Sequence, residues 1–208
     1  MPPNPGTNPV GDAALSIRST AFGPLVIVWS VLDKEPKVAR VLLSNPAVSA
    51  EQQGFTLFPG SPLSSCSEID ALGDQIEAFL GGEDVRFSLE IVCMDLCSPF
   101  QQRVLHAEYG IPRGAVSTYQ RIARYLDKPK AARAVGNALA RNPFPILIPC
   151  HRAIRSNRSL GGYQGGRKMK RRLLEMEGMA FDDKGYVKTE LFFYPPTQKA
   201  KGLPLDGS

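Results

Sequence analysis

The chain has 208 residues, of which 43% are hydrophobic and 22% charged, and this is enough for one or two domains with a proper core. No apolar stretch approaches the length of a membrane span, and no basic start precedes an apolar run, which argues against a membrane protein or a signal peptide. Four cysteines are too few for a disulfide scaffold. We therefore expect an intracellular protein, nuclear in a eukaryote and cytoplasmic in a prokaryote, without membrane contact.

Charge is distributed very unevenly along the chain. Residues 1–97 hold 5 Lys and Arg against 12 Asp and Glu, whereas residues 98–178 hold 16 against 4. The net charges of these two segments are therefore −7 and +12. A solvated basic face is the ordinary alternative, but an imbalance of this size favours a polyanionic partner, and nucleic acid first among these.

The acidic segment shows the pattern of a small α/β domain. Residues 1–12 are rich in Pro, Gly and Asn, which predicts a disordered leader. Apolar runs over 22–32 and 37–43 flank a polar turn and predict a β-hairpin. Residues 44–66 are expected to form a loop. Ser67 is a candidate helix cap, the following apolar periodicity ends at Gly81, and the alternation over 85–92 predicts a half-exposed strand.

The basic segment is predicted to be mostly helical. Ser98-Pro99 is a cap followed by Pro at the first helical position, and Ser117 with Gln120 forms a capping box for the next helix. A break over 127–129 precedes a helix over 130–141, so the pair predicts a helix-turn-helix. A further basic helix is expected from Arg167 to about residue 177. Residues 179–194 can add a hairpin, and the tail beyond is expected to be disordered.

One rigid segment carries a cysteine beside a base and a cation. Prolines flank the apolar run 146–148, which we interpret as a strand that leads into Cys150, His151 and Arg152. A buried structural thiol is the commoner alternative. A thiol becomes a strong nucleophile only when a base removes its proton, and His151 is the nearest candidate. Side chains of neighbouring residues in an extended segment point apart, so a turn or a bridging water would be needed.

The sequence Ile-Pro-Cys-His-Arg over 148–152 resembles the active-site signature of the methylated-DNA–protein-cysteine methyltransferases, also called O-6-alkylguanine-DNA alkyltransferases. The resemblance extends from about residue 100 to residue 178 through several blocks in the same order. It implies a ribonuclease-H-like α/β domain over 13–97, consisting of a small antiparallel sheet and a helix. A winged-helix-like domain with the helix-turn-helix would follow over 98–180, and a partly disordered extension over 181–208.

The resemblance also implies a DNA-repair function, in which an alkyl group moves irreversibly from O-6 of a flipped guanine to Cys150. His151 would act as the base through a water, with Glu177 behind it, while Asn142 would brace the turn and Tyr119 would assist flipping and the leaving group. Arg133 would replace the flipped nucleotide. Other expected DNA contacts are Lys130, Ala132, Gly136, Arg141 and Arg152, the last with a structural alternative. The expected pocket residues are Tyr163, Gln164, Gly165 and Pro145.

The expected partner is double-stranded DNA, bound by a monomer mainly through the minor groove and independently of sequence. We expect no cofactor. We also expect no metal, because the C-x-x-x-C spacing of Cys93 and Cys97 lacks a second pair and the family's zinc ligands have no clear counterparts. Two alternatives stay open at this point: a non-catalytic alkyltransferase-like lesion-binding protein, and a helix-turn-helix regulator in which Cys150 is only structural.

Overall fold

The computed structural model describes residues 12–189 and 192–195. Except for Asp12, the predicted leader lies outside the described residues, as does the tail beyond Pro195. The chain begins with a three-stranded antiparallel sheet in the order β1, β2, β3. These strands are β1 (Ala14–Thr20), β2 (Gly23–Leu32) and β3 (Glu35–Leu43). The predicted hairpin is therefore confirmed as β2 and β3, whereas β1 was not predicted.

The sheet lies between two helices, α1 (Ala50–Leu57) and α2 (Ser67–Leu80). Val26 and Val28 of β2 face the cluster that contains Ala50 of α1, whereas Leu25 and Ile27 face the larger core that includes α2. Both faces of β2 are thus buried, which explains why its sequence is continuously apolar and does not alternate. The prediction of a loop over 44–66 was wrong for 50–57, where Ser49 caps a helix by accepting a hydrogen bond from the Gln52 amide (3.1 Å).

The predicted strand over 85–92 was also wrong, because this segment has no regular strand. Only Val92 forms an isolated bridge, with Val38 on β3. Other carbonyls of this region instead accept hydrogen bonds from side chains of the basic segment: Arg113 binds those of Gly82 and Glu83, and Tyr109 binds that of Phe87. The segment therefore connects the two halves of the molecule and does not extend the sheet.

The second half is built from helices and short strands. In chain order these are α3 (Pro99–Tyr109), β4 (Ser117–Thr118), α4 (Tyr119–Tyr125), α5 (Ala132–Ala140), β5 (Ala153–Ile154), α6 (Gly166–Met176), β6 (Ala180–Phe181) and β7 (Val187–Lys188). Strands β4 and β5 pair in parallel, and β6 and β7 form the hairpin expected after residue 179. The predicted helices are confirmed, with ends that shift by one or two residues.

Two helix caps differ from the prediction. Thr118, and not Ser117, caps α4 by accepting a hydrogen bond from the Arg121 amide (3.1 Å), whereas the Ser117 hydroxyl donates to the Phe193 carbonyl (2.8 Å). Ser67 is the first residue of α2, and Cys66 before it makes no side-chain cap. Ser98 caps α3 as expected, by accepting a hydrogen bond from the Gln101 amide (3.3 Å). Ser67 and Ser117 each lie one residue from the actual cap position, so a serine of this kind marks the start of a helix without fixing the capping residue.

The largest core runs through both halves, from the sheet and α2 into α3, α4, α5 and the segment before Cys150. The layout of a small antiparallel sheet with helices followed by a mostly helical part is confirmed, whereas its ribonuclease-H-like and winged-helix-like character stays a prediction. No helix in the described ranges has the length and apolarity needed to cross a membrane.

Candidate active site

Cys150 lies at the start of a single 3-10 turn, Cys150–Arg152, and not at the end of a strand. The interpretation of 146–148 as a strand was therefore wrong. Ile146 has a φ of +75°, a conformation that is strained for a β-branched residue and that turns the chain sharply. The amide of Ile148 donates to the carbonyl of Phe144 (2.9 Å), which closes this turn. The turn holds Cys150 at a fixed point in the interior.

Asn142 holds the turn together from inside. Its side chain is buried, donates to the Ile148 carbonyl (3.1 Å) and accepts from the Phe144 amide (2.9 Å). Its own carbonyl accepts from the Gln164 side chain (2.5 Å), which ties the turn to the glycine-rich loop over residues 161–166. A hydrogen bond between Asn142 and Cys150 also favours the thiolate. Asn142 thus fixes both the position and the environment of the sulfur.

A cavity of about 190 Å³ opens onto Cys150. Its walls come from α4, α5 and the glycine-rich loop; the lining residues are Tyr119, Gly136, Leu139, Ala140, Cys150, Gly162, Tyr163 and Gln164. The cavity is smaller than the roughly 300–1,000 Å³ of pockets for drug-sized ligands, so it suits a single flat ring system. The sulfur is therefore reached only by a group that enters between the helices and the loop.

His151, Glu177 and Arg152 form a buried cluster behind Cys150. The Nε2 atom of His151 lies 2.9 Å from a Glu177 carboxylate oxygen. Arg152 donates to the same carboxylate from Nε and a terminal nitrogen, at 2.8–3.2 Å, and to the Ile111 carbonyl at 2.6 Å. A carboxylate that is bound this way is rigid, so it fixes the orientation of the imidazole.

The protonation states of this cluster follow from its contacts. Burial raises the pKa of Glu177, but the bonds from His151 and Arg152 outweigh it and hold the pKa at about 2. An ionised carboxylate can only accept, so Nε2 of a neutral His151 carries the proton and Nδ1 has the free lone pair. Burial lowers the pKa of His151, which keeps the ring neutral, and Nδ1 is buried with no bonded partner among the described residues. His151 can therefore accept a proton at Nδ1.

Burial raises the pKa of Cys150 to about 11, against the opposing effects of Asn142 and Lys170. The resting sulfur is thus a thiol. Burial likewise raises the pKa of Tyr119 to about 12 and that of Tyr163 well above its ordinary value, so both phenols keep their protons and can donate them. The site consequently combines a protonated nucleophile, a neutral base and two proton donors around one small cavity.

The chain is similar to known proteins over most of its length. A family model described as "6-O-methylguanine DNA methyltransferase, DNA binding domain" matches residues 99–179. The crystal structure of the Mycobacterium tuberculosis O6-methylguanine methyltransferase is 30% identical, with a TM-score of 0.63, over 79% of this chain and 92% of that chain. The present chain belongs to this methyltransferase family.

Curated relatives in the family carry the name methylated-DNA–protein-cysteine methyltransferase. The Methanothermobacter thermautotrophicus protein is 48% identical over 114 residues, which is 55% of this chain and 64% of that protein. The Mycobacterium leprae protein is 46% identical over 104 residues, 50% of this chain and 61% of that protein. The chain thus spans less than two thirds of the length of these relatives. The resemblance to the family that the motif indicated is confirmed.

The residues expected to contact DNA fall into two groups in this family member. Lys130, Arg133 and Arg141 are exposed on or beside α5, and Ala132 is half-buried at its start. Arg152, in contrast, is buried and bound to Glu177 and Ile111, so its prediction as a DNA contact was wrong and its structural alternative holds. Its charge is needed inside the molecule to compensate the carboxylate.

The expected pocket residues are brought together only in part. Tyr163 and Gln164 line the cavity, whereas Pro145 and Gly165 are not among its lining residues, and their part in binding the base stays a prediction. A Cβ atom at Gly165 would lie 2.2 Å from the sulfur of Met169, so this glycine is needed for packing against α6. Gly136, which we expected to contact DNA, instead lines the cavity beside the ring of Tyr119.

Several residues of the site were not predicted. Leu139, Ala140 and Gly162 line the cavity, and the buried Glu108 and Lys170 act electrostatically on Cys150. Glu108 follows the apolar Val104 by four residues on α3, a spacing that places both on one helix face and could have revealed it. Within 12–189 and 192–195, no group of three or more His, Cys, Asp or Glu side chains could hold a metal ion.

Proposed function

We propose that this protein repairs DNA by transferring an alkyl group directly and irreversibly from O-6 of guanine to Cys150. The observation that carries the proposal is the geometry at Cys150. One buried thiol faces a base-sized cavity, next to a neutral imidazole that is oriented by an ionised carboxylate. This is the arrangement of an activated nucleophile and its base.

The proposed reaction needs no cofactor. His151 Nδ1 removes the thiol proton through a water, and the Cys150 sulfur attacks the alkyl carbon. A carbon–sulfur bond forms while the carbon–oxygen bond to guanine breaks, and the proton taken from the thiol passes from His151 through water to the guanine that leaves. Tyr119 lies on the cavity wall as a protonated phenol and is our candidate for donating a hydrogen bond to this leaving group. The thioether product cannot revert, so each molecule reacts once.

We further propose that the substrate is double-stranded DNA and that the reacting base is rotated into the cavity. Base-modifying enzymes extrude their target at a cost of about a few kcal/mol. Arg133 lies exposed on α5, whose residues Gly136, Leu139 and Ala140 line the cavity, so its side chain can fill the gap that the base leaves. Lys130 and Arg141 are candidates for phosphate contacts. A related M. tuberculosis protein, 30% identical with a TM-score of 0.61 over 93% of its length, has been crystallised in complex with DNA.

Small residues on α5 support an approach of a monomer to the minor groove, with phosphate contacts that are independent of sequence. The net charge of +12 over residues 98–178 supports the same mode of binding. Affinity for undamaged duplex should then fall steeply with salt concentration, with little dependence on base composition.

The experiment that tests the proposal is intact-protein mass spectrometry after incubation with a duplex that contains one O-6-methylguanine. Wild type should gain one methyl group, mapped to Cys150, and Cys150→Ser should gain none while still binding DNA. Binding to the lesion without a mass gain would indicate a lesion-binding protein. Binding without lesion preference would indicate only a DNA-binding regulator, and either result would refute the proposed chemistry.

A further inference from the structure

A second and larger cavity, of about 350 Å³, lies between the two halves of the molecule. It is lined by residues from the end of α2, from 84–87, from 109–113 and from the chain on both sides of Cys150. None of these residues lines the cavity that opens onto the sulfur. The volume falls within the roughly 300–1,000 Å³ of pockets that hold small molecules. The proposed reaction does not use this cavity, so we infer its ligand from its own walls.

Three aromatic side chains give the cavity flat apolar walls. Phe79 and Phe87 are buried, and their rings meet edge to face with centroids 5.7 Å apart. Tyr109 lines the cavity from the end of α3, and its hydroxyl donates to the Phe87 carbonyl, which fixes the phenol ring in position. Aromatic walls of this kind pack favourably against a flat ring in a ligand.

Two arginines bring positive charge to the same walls. The Arg86 guanidinium lies 5.4 Å from the centre of the Tyr109 ring, and the Arg113 guanidinium lies 6.0 Å from the centre of the Phe79 ring. Such cation–π contacts orient a guanidinium without neutralising its charge. Within the described part of the chain, neither arginine has a carboxylate close enough to form an ion pair. Both charges are therefore uncompensated.

The two arginines also keep hydrogen-bond donors for a ligand. A guanidinium has five N–H donors. Arg113 donates to the carbonyls of Gly82 (2.7 Å), Glu83 (2.8 Å) and Met176 (3.0 Å), and these bonds hold its side chain in place while leaving other N–H groups unbound. Arg86 is exposed and forms no hydrogen bond with the described residues. A ligand can thus bind to donors on both side chains.

The other charged groups of the cavity leave an excess of positive charge. Arg152 lines the cavity too, but Glu177 compensates its charge through hydrogen bonds of 2.8–3.2 Å. Asp84 is exposed and forms no ion pair with either uncompensated arginine. Guanidinium groups bind phosphate and carboxylate through paired hydrogen bonds. Two of them match the charge of a phosphate monoester, about −2, better than the single charge of a carboxylate.

We propose that this cavity binds a small phosphate monoester that carries a flat ring. The ring packs against Phe79, Phe87 and Tyr109, and the phosphate accepts hydrogen bonds from Arg86 and Arg113. Residues 146–149 border the cavity, so the ligand also contacts the segment that leads into the 3-10 turn. This site is separate from the cavity used in the proposed function, and the binding requires neither DNA nor a reactive cysteine.

The test is a titration of the full-length protein with phenyl phosphate, followed by NMR of ¹³C-labelled isoleucine methyl groups. Ile111 and Ile146 line the cavity, whereas Ile17 packs on the other face of the sheet, in the cluster with Ala50. Phenyl phosphate should shift the methyl signals of Ile111 and Ile146 and leave that of Ile17 unchanged. Inorganic phosphate and phenol, which each offer one part of the ligand, should bind about tenfold more weakly or less, and so should benzoate.

Replacing Arg86 by Gln provides the matched variant. Loss of one charged donor should weaken the binding of phenyl phosphate about tenfold or more. The exposed Arg86 has no hydrogen bond to lose, so the variant should unfold at the same temperature as wild type. Arg124→Gln removes another exposed arginine, one that does not line the cavity, and should bind phenyl phosphate like wild type.

Selective weakening in Arg86→Gln, together with shifts at Ile111 and Ile146, would establish the proposal. Unchanged signals of these two isoleucines would mean that the cavity holds only solvent and would overturn it. Equal binding of inorganic phosphate or phenol would refute the combined recognition of ring and phosphate, and equal binding of benzoate would refute the choice of phosphate. Equal weakening in Arg86→Gln and Arg124→Gln would show a general effect of charge and would likewise contradict a site at these walls.

Discussion

Replacing Glu177 by Gln should test the buried cluster behind Cys150 most directly. The pKa of this carboxyl falls from an ordinary 4.5 to about 2 in the folded protein, because the bonds from His151 and Arg152 outweigh the effect of burial. At 1.36 kcal/mol per pH unit, a shift of about 2.5 units corresponds to about 3 kcal/mol of stability. Removing one partner of a buried ion pair costs about 3–5 kcal/mol by a separate argument. We therefore expect Glu177→Gln to lower the free energy of unfolding by about 3 kcal/mol at pH 7.

This stabilisation should depend on pH with a defined sign. Because the folded pKa is lowered, the contribution is complete above about pH 5 and is lost as the pH falls from 4.5 towards 2. About 2 kcal/mol of it should be gone at pH 3. Wild type and Glu177→Gln should thus differ most at neutral pH and converge in acid. Urea unfolding followed by circular dichroism at several pH values measures the difference.

Glu175 on the same helix offers a matched control. Its carboxylate pairs with Arg171 one turn earlier, and both side chains are nearly half exposed. Such a pair contributes about 0.5 kcal/mol or less, so Glu175→Gln should be nearly neutral at every pH. If Glu177→Gln costs no more than Glu175→Gln, or if its cost stays the same from pH 7 to pH 3, the buried cluster does not have the role we assign to it.

Three further substitutions test other parts of the site. In Gly161→Ala the new Cβ would lie 2.0 Å from the Tyr119 hydroxyl, so the phenol must move away from its position in the cavity. Methyl transfer in single-turnover assays should then slow about tenfold or more, and an unchanged rate would contradict a role for Tyr119. Asn142→Ala removes the buried hydrogen bond to the Ile148 carbonyl, so it should lower the free energy of unfolding in urea by about 1–3 kcal/mol. An unchanged free energy of unfolding would mean that the turn is stable without Asn142. Arg133→Ala should leave stability within about 0.5 kcal/mol yet slow transfer from duplex more than from single strands, and equal slowing would exclude a flipping role.

Much of the fold could be predicted because its signals are local. The turn between β2 and β3, the Ser98-Pro99 start of α3 and the break between α4 and α5 each depend on a few adjacent residues. The errors arose where distant parts of the chain decide the structure. The alternation over 85–92 does indicate a strand, but β3 forms backbone hydrogen bonds only with the end of this segment, at Ile91 and Cys93. Backbone carbonyls earlier in the segment and just before it accept hydrogen bonds from the side chains of Tyr109 and Arg113 instead. No local pattern contains this information.

The sequence indicated which residues form the site, but not how they are arranged. The motif indicated Cys150, His151 and Glu177, yet an extended segment would have separated the first two side chains. The 3-10 turn resolves this, because successive residues then differ by about a third of a turn and not by half. The chain enters this 3-10 turn from the preceding turn, which the Ile148–Phe144 hydrogen bond closes. Ile146 in that preceding turn has a positive φ, which no sequence rule would assign to a β-branched residue. Hydrogen bonds of the Asn142 side chain, which form only in the folded chain, stabilise this strained conformation.

The charges around Cys150 suggest how the thiol is activated. The ionised Glu177 binds Arg152 and compensates its charge, so this buried guanidinium is not free to stabilise a thiolate. Burial then keeps the pKa of the sulfur near 11, and fewer than about one molecule in a thousand would hold a thiolate at neutral pH by simple ionisation. In the proposed reaction the proton instead passes through a water to Nδ1 of His151 as the sulfur attacks, and this atom is buried and has no bonded partner among the described residues.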